Sequence, residues 1–169
     1  MDPATGTPSA ACVREMIRYQ EEMIGLTRRI TDALTRRHGA LDSSVFTRKD
    51  QLAAELFLLS NLHVGMLSSE ALTESITIAR QILDTLPIGN EQWIVQIRGN
   101  AKLHLGCYCN SLTINDVDAG KHLMREAIQD IQSVHGEQSL TTRVAVERVA
   151  STYYFHGLNA PTDFMAFAG

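Results

Sequence analysis

Residues 76–83, with the sequence ITIARQIL, match residues 121–128, KHLMREAI, when the chain is shifted by 45 positions. The match extends beyond these segments, because Leu56, Ala101 and Val146 coincide in the same frame. A repeat of roughly 20 to 50 residues is typical of stacked arrays, whose units bury their apolar faces only against their neighbours. The repeat therefore predicts a stack of similar structural units.

The apolar residues recur at helical spacing, and no segment shows the sustained alternation and hairpin turns of strands. We therefore predict an all-α chain with a long N-terminal helix. Gly25 weakens that helix by roughly 1 kcal/mol relative to alanine and permits a kink. Thr47 is a candidate cap for the second helix, after a connector over residues 41–46. The predicted helices lie at about 10–37, 47–64, 68–87, 91–110, 115–136 and 139–157, with a short turn after residue 161.

The sixth helix carries a recognisable pattern of residue sizes. Val146 and Val149 are followed by the small Ala150, the aromatic Tyr153 and a glycine, Gly157. This spacing resembles the first helix of a tetratricopeptide repeat, in which the small residue allows close helix packing and the aromatic ring fills the space toward the next unit. The second repeat departs from the pattern, since His104 and Leu105 stand where an apolar and a small residue are expected.

The resemblance implies stacked antiparallel helix hairpins, an α-solenoid, preceded by the N-terminal helix. Residues 1–9 are predicted to be a flexible leader, and residues 10–169 a single helical-repeat domain. Its units would cover about 47–89, 90–136 and, in part, 137–160. The period of 45 exceeds the 34 residues of the standard repeat, so the helices or connectors must be longer.

Tetratricopeptide arrays bind an extended peptide or a partner helix on the concave surface lined by the first helix of each hairpin. Carried over by position, the resemblance implies that this chain is a non-catalytic protein-binding module. The implied partner-binding residues are Asn61, Lys102, Gly106, Asn110, Glu147, Ser151 and Tyr154, with Arg98 and Arg148 as flanking charges. Because the last repeat lacks a full second helix, we also expect self-association or docking through the C-terminal unit.

Two other functions stay open from the sequence. An all-α enzyme of the cyclase or isomerase type, or a helical sensor of small molecules, would use a pocket near His63, His104 and Tyr108. A metal site is not expected, because Cys107 and Cys109 would point about 200° apart on a helix. No cofactor-binding or catalytic motif is present in the sequence.

Composition narrows the classes of partner. The 169 residues carry a net charge of −4, which gives no electrostatic footprint for nucleic acid. No stretch of about 18 apolar residues is present, so no membrane span is expected. Three cysteines and a start, residues 1–9, without the features of a secretory leader favour the cytoplasm.

Overall fold

The computed structural model describes residues 9–62, 69–109 and 117–155, the side chains of the last three residues excepted. These residues form six α-helices and no strand, as the sequence predicts. The helices are α1 (Ala10–His38), α2 (Ser43–Leu62), α3 (Ser69–Thr85), α4 (Gln92–Cys109), α5 (Val117–His135) and α6 (Leu140–Phe155). Within the described ranges, no helix is both long and apolar enough to cross a membrane.

The helix ends are set by side-chain caps and by two glycines. Ser9 and Ser139 accept hydrogen bonds from the backbone N–H groups of Cys12 and Thr142, which opens α1 and α6. Gly39 and Gly136 adopt φ of 88° and 83° directly after α1 and α5, a conformation that glycine reaches without strain. The predicted ends of α1 and α5 are therefore confirmed.

The start of α2 differs from the prediction by one helical turn. The carboxylate of Asp42 accepts hydrogen bonds from the backbone N–H and the hydroxyl of Ser44, at 2.9 and 2.5 Å. Both bonds lower the pKa of Asp42, and the bond from the hydroxyl group has a larger effect than the bond from the backbone. Because this cap precedes Thr47, residues 43–46 belong to the helix and the predicted connector over 41–46 is too long. The predicted opening of α5 at Asn115 and the turn after residue 161 lie outside the described residues.

The chain divides into two compact bodies, Met1–Ile78 and Ala79–Gly169, and the boundary falls inside helix α3. In the first body, α1 and α2 pack against each other. Its core is built from Ile24, Leu52, Leu56, Leu59 and Ala71. The hydroxyl of Ser75 on α3 donates to the carbonyl oxygen of Ala53 on α2 at 2.5 Å.

In the second body, α4 and α5 form the most closely packed helix pair, and α6 packs on both. The α4–α5 pair is antiparallel, since Gly106 lies against Gly120 and Met124 while Gly99 lies against Ile131. The shared core consists of Leu103, Cys107, Met124, Ala127, Ile128, Ile131, Ala145, Val146 and Val149.

Helix α1 runs through Gly25 without interruption, although the sequence permits a kink there. No atom lies within 4 Å of the place where a Cβ at Gly25 would stand. We therefore expect Gly25→Ala to raise the free energy of unfolding by ~1 kcal/mol, and the melting temperature by about 2–4 °C. Thermal and urea denaturation check this. Gly39→Ala is the matched control and should destabilise, because an alanine at φ 88° is strained. A loss of stability in Gly25→Ala would contradict the continuous helix.

Candidate functional site

A charged cluster joins α4 to α5. The guanidinium of Arg98 donates two hydrogen bonds to the carboxylate of Asp130, at 3.1 and 3.0 Å. The ammonium of Lys102 lies 3.0 Å from Asp130 and 2.8 Å from Glu126. Side chains of Lys102 and Asp130 are only 17% and 15% exposed. The cluster thus holds four charges in a partly desolvated seam, where each charge is stabilised by its opposite.

The cluster controls the ionisation of its acids. Burial opposes the ionisation of Asp130, but the hydrogen bonds from Arg98 and Lys102 outweigh burial and lower the pKa of Asp130. The hydrogen bond from Lys102 is the largest cause that lowers the pKa of Glu126. Both carboxyl groups therefore stay ionised at pH values below the ordinary pKa of such groups, and the cluster remains intact at neutral pH.

Two glycines on α4 bring this seam to close contact. A Cβ at Gly106 would lie 2.5 Å from Cγ of Met124 and 3.0 Å from the carbonyl oxygen of Gly120. A Cβ at Gly99 would lie 3.0 Å from Ile131 and 3.1 Å from Cβ of Asp130. Gly99, Lys102 and Gly106 are therefore among the residues through which α4 contacts α5, and they follow one another at helical spacing.

Helices α4 and α6 lie side by side in parallel, offset by 44 or 45 positions. Arg148 of α6 donates to Nδ1 of His104 at 3.0 Å, and the hydroxyl of Thr152 donates to Sγ of Cys107 at 3.4 Å. Because arginine can only donate, Nδ1 of His104 must accept, and the imidazole is neutral in this contact. Its ring is stacked with that of Tyr108, which is fully buried. His104 and Tyr108 are thus part of the packing of the second body.

Four residues of α6 share an exposed stripe, which we call the α6 face. It consists of Leu140, Val144, Glu147 and Ser151, spaced by four, three and four residues. Leu140 and Val144 are 77% and 54% exposed, and Glu147 and Ser151 are exposed as well. The α6 face therefore combines an apolar surface with a carboxylate and a hydroxyl group.

The α6 face matches the seam of α4 in the 45-residue frame. Val144, Glu147 and Ser151 are the counterparts of Gly99, Lys102 and Gly106. On α4 these positions contact the following helix, whereas on α6 they are exposed. Positions that hold a helix in one repeat are thus accessible in the next.

The predicted partner-binding residues fall into separate places. Glu147 and Ser151 lie one turn apart on the α6 face, while Lys102 and Gly106 face α5 in the seam described above. Asn61 is exposed in the last turn of α2, in the first body. Asn110 and the side chain of Tyr154 lie outside the described residues, as does His63. Of the two flanking arginines, Arg98 bonds to Asp130 and Arg148 bonds to His104.

The cysteines and histidines do not assemble a metal site in the described ranges. No group of three or more His, Cys, Asp or Glu side chains there is arranged to hold a metal ion. Cys107 is buried and Cys109 is half-buried on the same helix.

The acids of the charged cluster were not predicted from the sequence. Arg98 and Lys102 stand four residues apart on α4, and Glu126 and Asp130 stand four residues apart on α5. Two such pairs of opposite sign on consecutive helices are the signal that indicates an ion-paired seam. A search of known protein families, of curated proteins and of solved structures finds no match to this chain.

Proposed function

We propose that this chain is a non-catalytic protein-binding module of the tetratricopeptide-like type, built from stacked helix hairpins, and that a helix of the partner packs on the α6 face. The observation that carries this proposal is the correspondence between α4 and α6. Three positions through which α4 contacts α5, those of Gly99, Lys102 and Gly106, recur on α6 as exposed residues. A surface with the register of a helix-binding seam is accessible, so a helix is the occupant that it suits best.

The charge of the seam defines the chemistry of that helix. Lys102 on α4 binds the acids Glu126 and Asp130 of α5. Its counterpart Glu147 has the opposite sign, so the partner helix should carry a lysine or arginine at this level. Leu140 and Val144 offer the apolar contact beside it. We therefore propose an amphipathic partner helix with an apolar stripe next to a basic residue, borne by another protein or by a second subunit.

The enzyme and sensor alternatives receive no support from the described residues. Nδ1 of His104 accepts a hydrogen bond from Arg148, which removes it as a free proton acceptor. Tyr108 has no exposed surface. Both residues act in packing α4, and a pocket formed around them would first require α4 and α6 to separate.

Affinity capture from the native cell tests the proposal. We expect Val144→Asp and Glu147→Lys to reduce recovery of the partner at least tenfold, because the first places a charge in the apolar contact and the second places a positive charge opposite the basic residue of the partner. Glu137→Lys is the matched control, since Glu137 is exposed in the turn between α5 and α6 and lies outside the face. Equal recovery by all variants would contradict the assignment.

A photoreactive amino acid at position 144 identifies the contacting segment. The expected product is a cross-link to a helical segment of the partner that carries a lysine or arginine. The same group at Ser133, exposed on α5, serves as the control position. A cross-link from position 144 to residues 156–169 of the same chain would contradict the proposed occupant, because the chain itself would then cover the α6 face.

A further inference from the structure

Helix α1 carries a buried stripe and an exposed apolar stripe, which are displaced by one residue. The buried stripe, which we call the inner stripe, faces the interior of the first body. It includes Ile17, Ile24, Thr27 and Thr31. The outer stripe consists of Met16, Tyr19, Met23 and Leu26, which are between 43% and 55% exposed. One residue corresponds to about 100° around a helix, so a second helix can lie on the outer stripe without displacing α2.

The outer stripe has the spacing of a coiled-coil seam. Its members are separated by three, four and three residues, and the same spacing continues to the half-buried Ile30 and the exposed Ala33. Apolar residues that alternate in steps of three and four form the contact line between two long helices. The outer stripe, together with Ile30 and Ala33, therefore has the spacing of a helix-pairing surface.

Charged residues flank the outer stripe at a regular interval of seven. They are Glu15, Glu22, Arg29 and Arg36, all exposed. The N-terminal half of this flank is acidic and the C-terminal half is basic. Arg18 bonds to Glu15 at 2.6 Å and lies 4.0 Å from Glu22, which leaves carboxylate oxygens on both acids for further donors.

We propose that α1 pairs in antiparallel orientation with α1 of a second copy of this chain, across a two-fold axis between Met23 and Leu26. When the sequence is reversed against itself, Glu15 meets Arg36 of the second copy and Glu22 meets Arg29. The apolar residues meet in pairs in the same register: Met16 with Ala33, Tyr19 with Ile30, and Met23 with Leu26. A surface that is complementary to its own reverse is what a two-fold interface requires.

The charges select the antiparallel orientation. In a parallel pair, the charged flank of one helix would meet the residues on the other side of the outer stripe of the second helix. Those residues include Gln20 and Thr27. Gln20 donates to the carbonyl oxygen of Glu55 on α2, and Thr27 is buried. Gln20 and Thr27 therefore make contacts within the first body, and neither side chain carries a charge. Only the antiparallel pair brings Glu15 and Glu22 to arginines.

Charge exchange along the flank tests this pairing on the full chain. We expect the wild-type chain to be a dimer in analytical ultracentrifugation. The variants E15R/E22R and R29E/R36E each place like charges opposite one another, and we expect each to weaken self-association at least about tenfold. An equimolar mixture of the two variants restores all four pairs of opposite charge. It should therefore form a one-to-one dimer as tight as the wild-type dimer.

The controls separate weakened self-association from loss of folding. Circular dichroism should show wild-type helix content for both variants, because all four positions are exposed. Should one variant unfold, Leu26→Asp, in the centre of the outer stripe, takes its place and is also expected to give monomers. A monomeric wild-type chain, or variants that dimerise as the wild type does, would overturn the proposal.

Oxidation distinguishes the two orientations. Cys12 is exposed and lies in line with the outer stripe, four residues before Met16. A parallel pair would bring the two copies of Cys12 together, whereas the antiparallel pair places them at opposite ends of the interface. We expect no disulfide between the two Cys12 residues in peptide mass spectra of the oxidised dimer. Its formation in high yield would overturn the antiparallel arrangement.

Discussion

Replacing Gly106 with alanine is expected to lower the free energy of unfolding by ~2 kcal/mol. The added Cβ would stand 2.5 Å from Cγ of Met124 and 3.0 Å from the carbonyl oxygen of Gly120 and from the backbone nitrogen of Met124. Overpacking of this kind costs typically 1–3 kcal/mol, and a backbone neighbour cannot turn aside as a side chain can. The gain in helix propensity, ~1 kcal/mol, offsets part of a cost that lies at the upper end of this range, because two of the close neighbours are backbone atoms.

Two other glycine substitutions, compared with Gly106→Ala, test how stability depends on the space around the added Cβ. Gly99→Ala meets atoms at 3.0–3.3 Å and should have an intermediate effect, while Gly25→Ala meets nothing and should stabilise. Urea denaturation of the three variants gives the comparison. Equal stability of Gly106→Ala and the wild type would mean that α4 and α5 are further apart than the structure has them.

Replacing Asp130 with asparagine is expected to lower the free energy of unfolding by ~2 kcal/mol at pH 7. The change leaves Arg98 without its two-bond partner and Lys102 with Glu126 alone. Hydrogen bonds to charged groups contribute about 1.5–3 kcal/mol, and the partial exposure of Arg98 keeps the loss toward the lower part of that range. Asp32→Asn, at an exposed position on α1, is the control and should change stability by less than about 0.5 kcal/mol.

The effect of Asp130→Asn should depend on pH. The pKa of Asp130 is lower in the folded chain than in the unfolded chain, so its contribution is present above the unfolded value of about 4. That contribution is lost as the pH falls from about 4 through the lower folded pKa. Wild type and variant should therefore converge in stability under acid. A difference that stays constant from pH 7 to the acid limit would contradict the role of the charge.

Much of the fold could be predicted from the spacing of apolar residues and from the caps. The all-α class and the ends of α1 and α5 are confirmed, since Gly39 and Gly136 act locally. The start of α2 could not be placed correctly, because Asp42 and Thr47 are both acceptable caps in sequence and only the observed bonds to Ser44 select the first.

The candidate site was harder to predict than the fold. Helical periodicity tells which residues share a face, but it does not tell which neighbour occupies that face. Lys102 and Glu147 are equivalent in the repeat, yet the first lies in a seam and the second is exposed. The acids that bind Lys102 come from α5, about 25 residues further along the chain, and such a pairing becomes visible only when the helices are packed.

The position of the boundary between the two bodies has a practical consequence for dissecting this protein. Because the boundary falls between Ile78 and Ala79, within α3, a cut at that point divides one helix into two pieces that are each too short to be stable alone. Ala71 and Leu72 before the boundary and Ala79 and Ile82 after it are all buried. Fragments that keep α3 whole should therefore be used for expression, and we expect limited proteolysis to cut in residues 86–91, after α3.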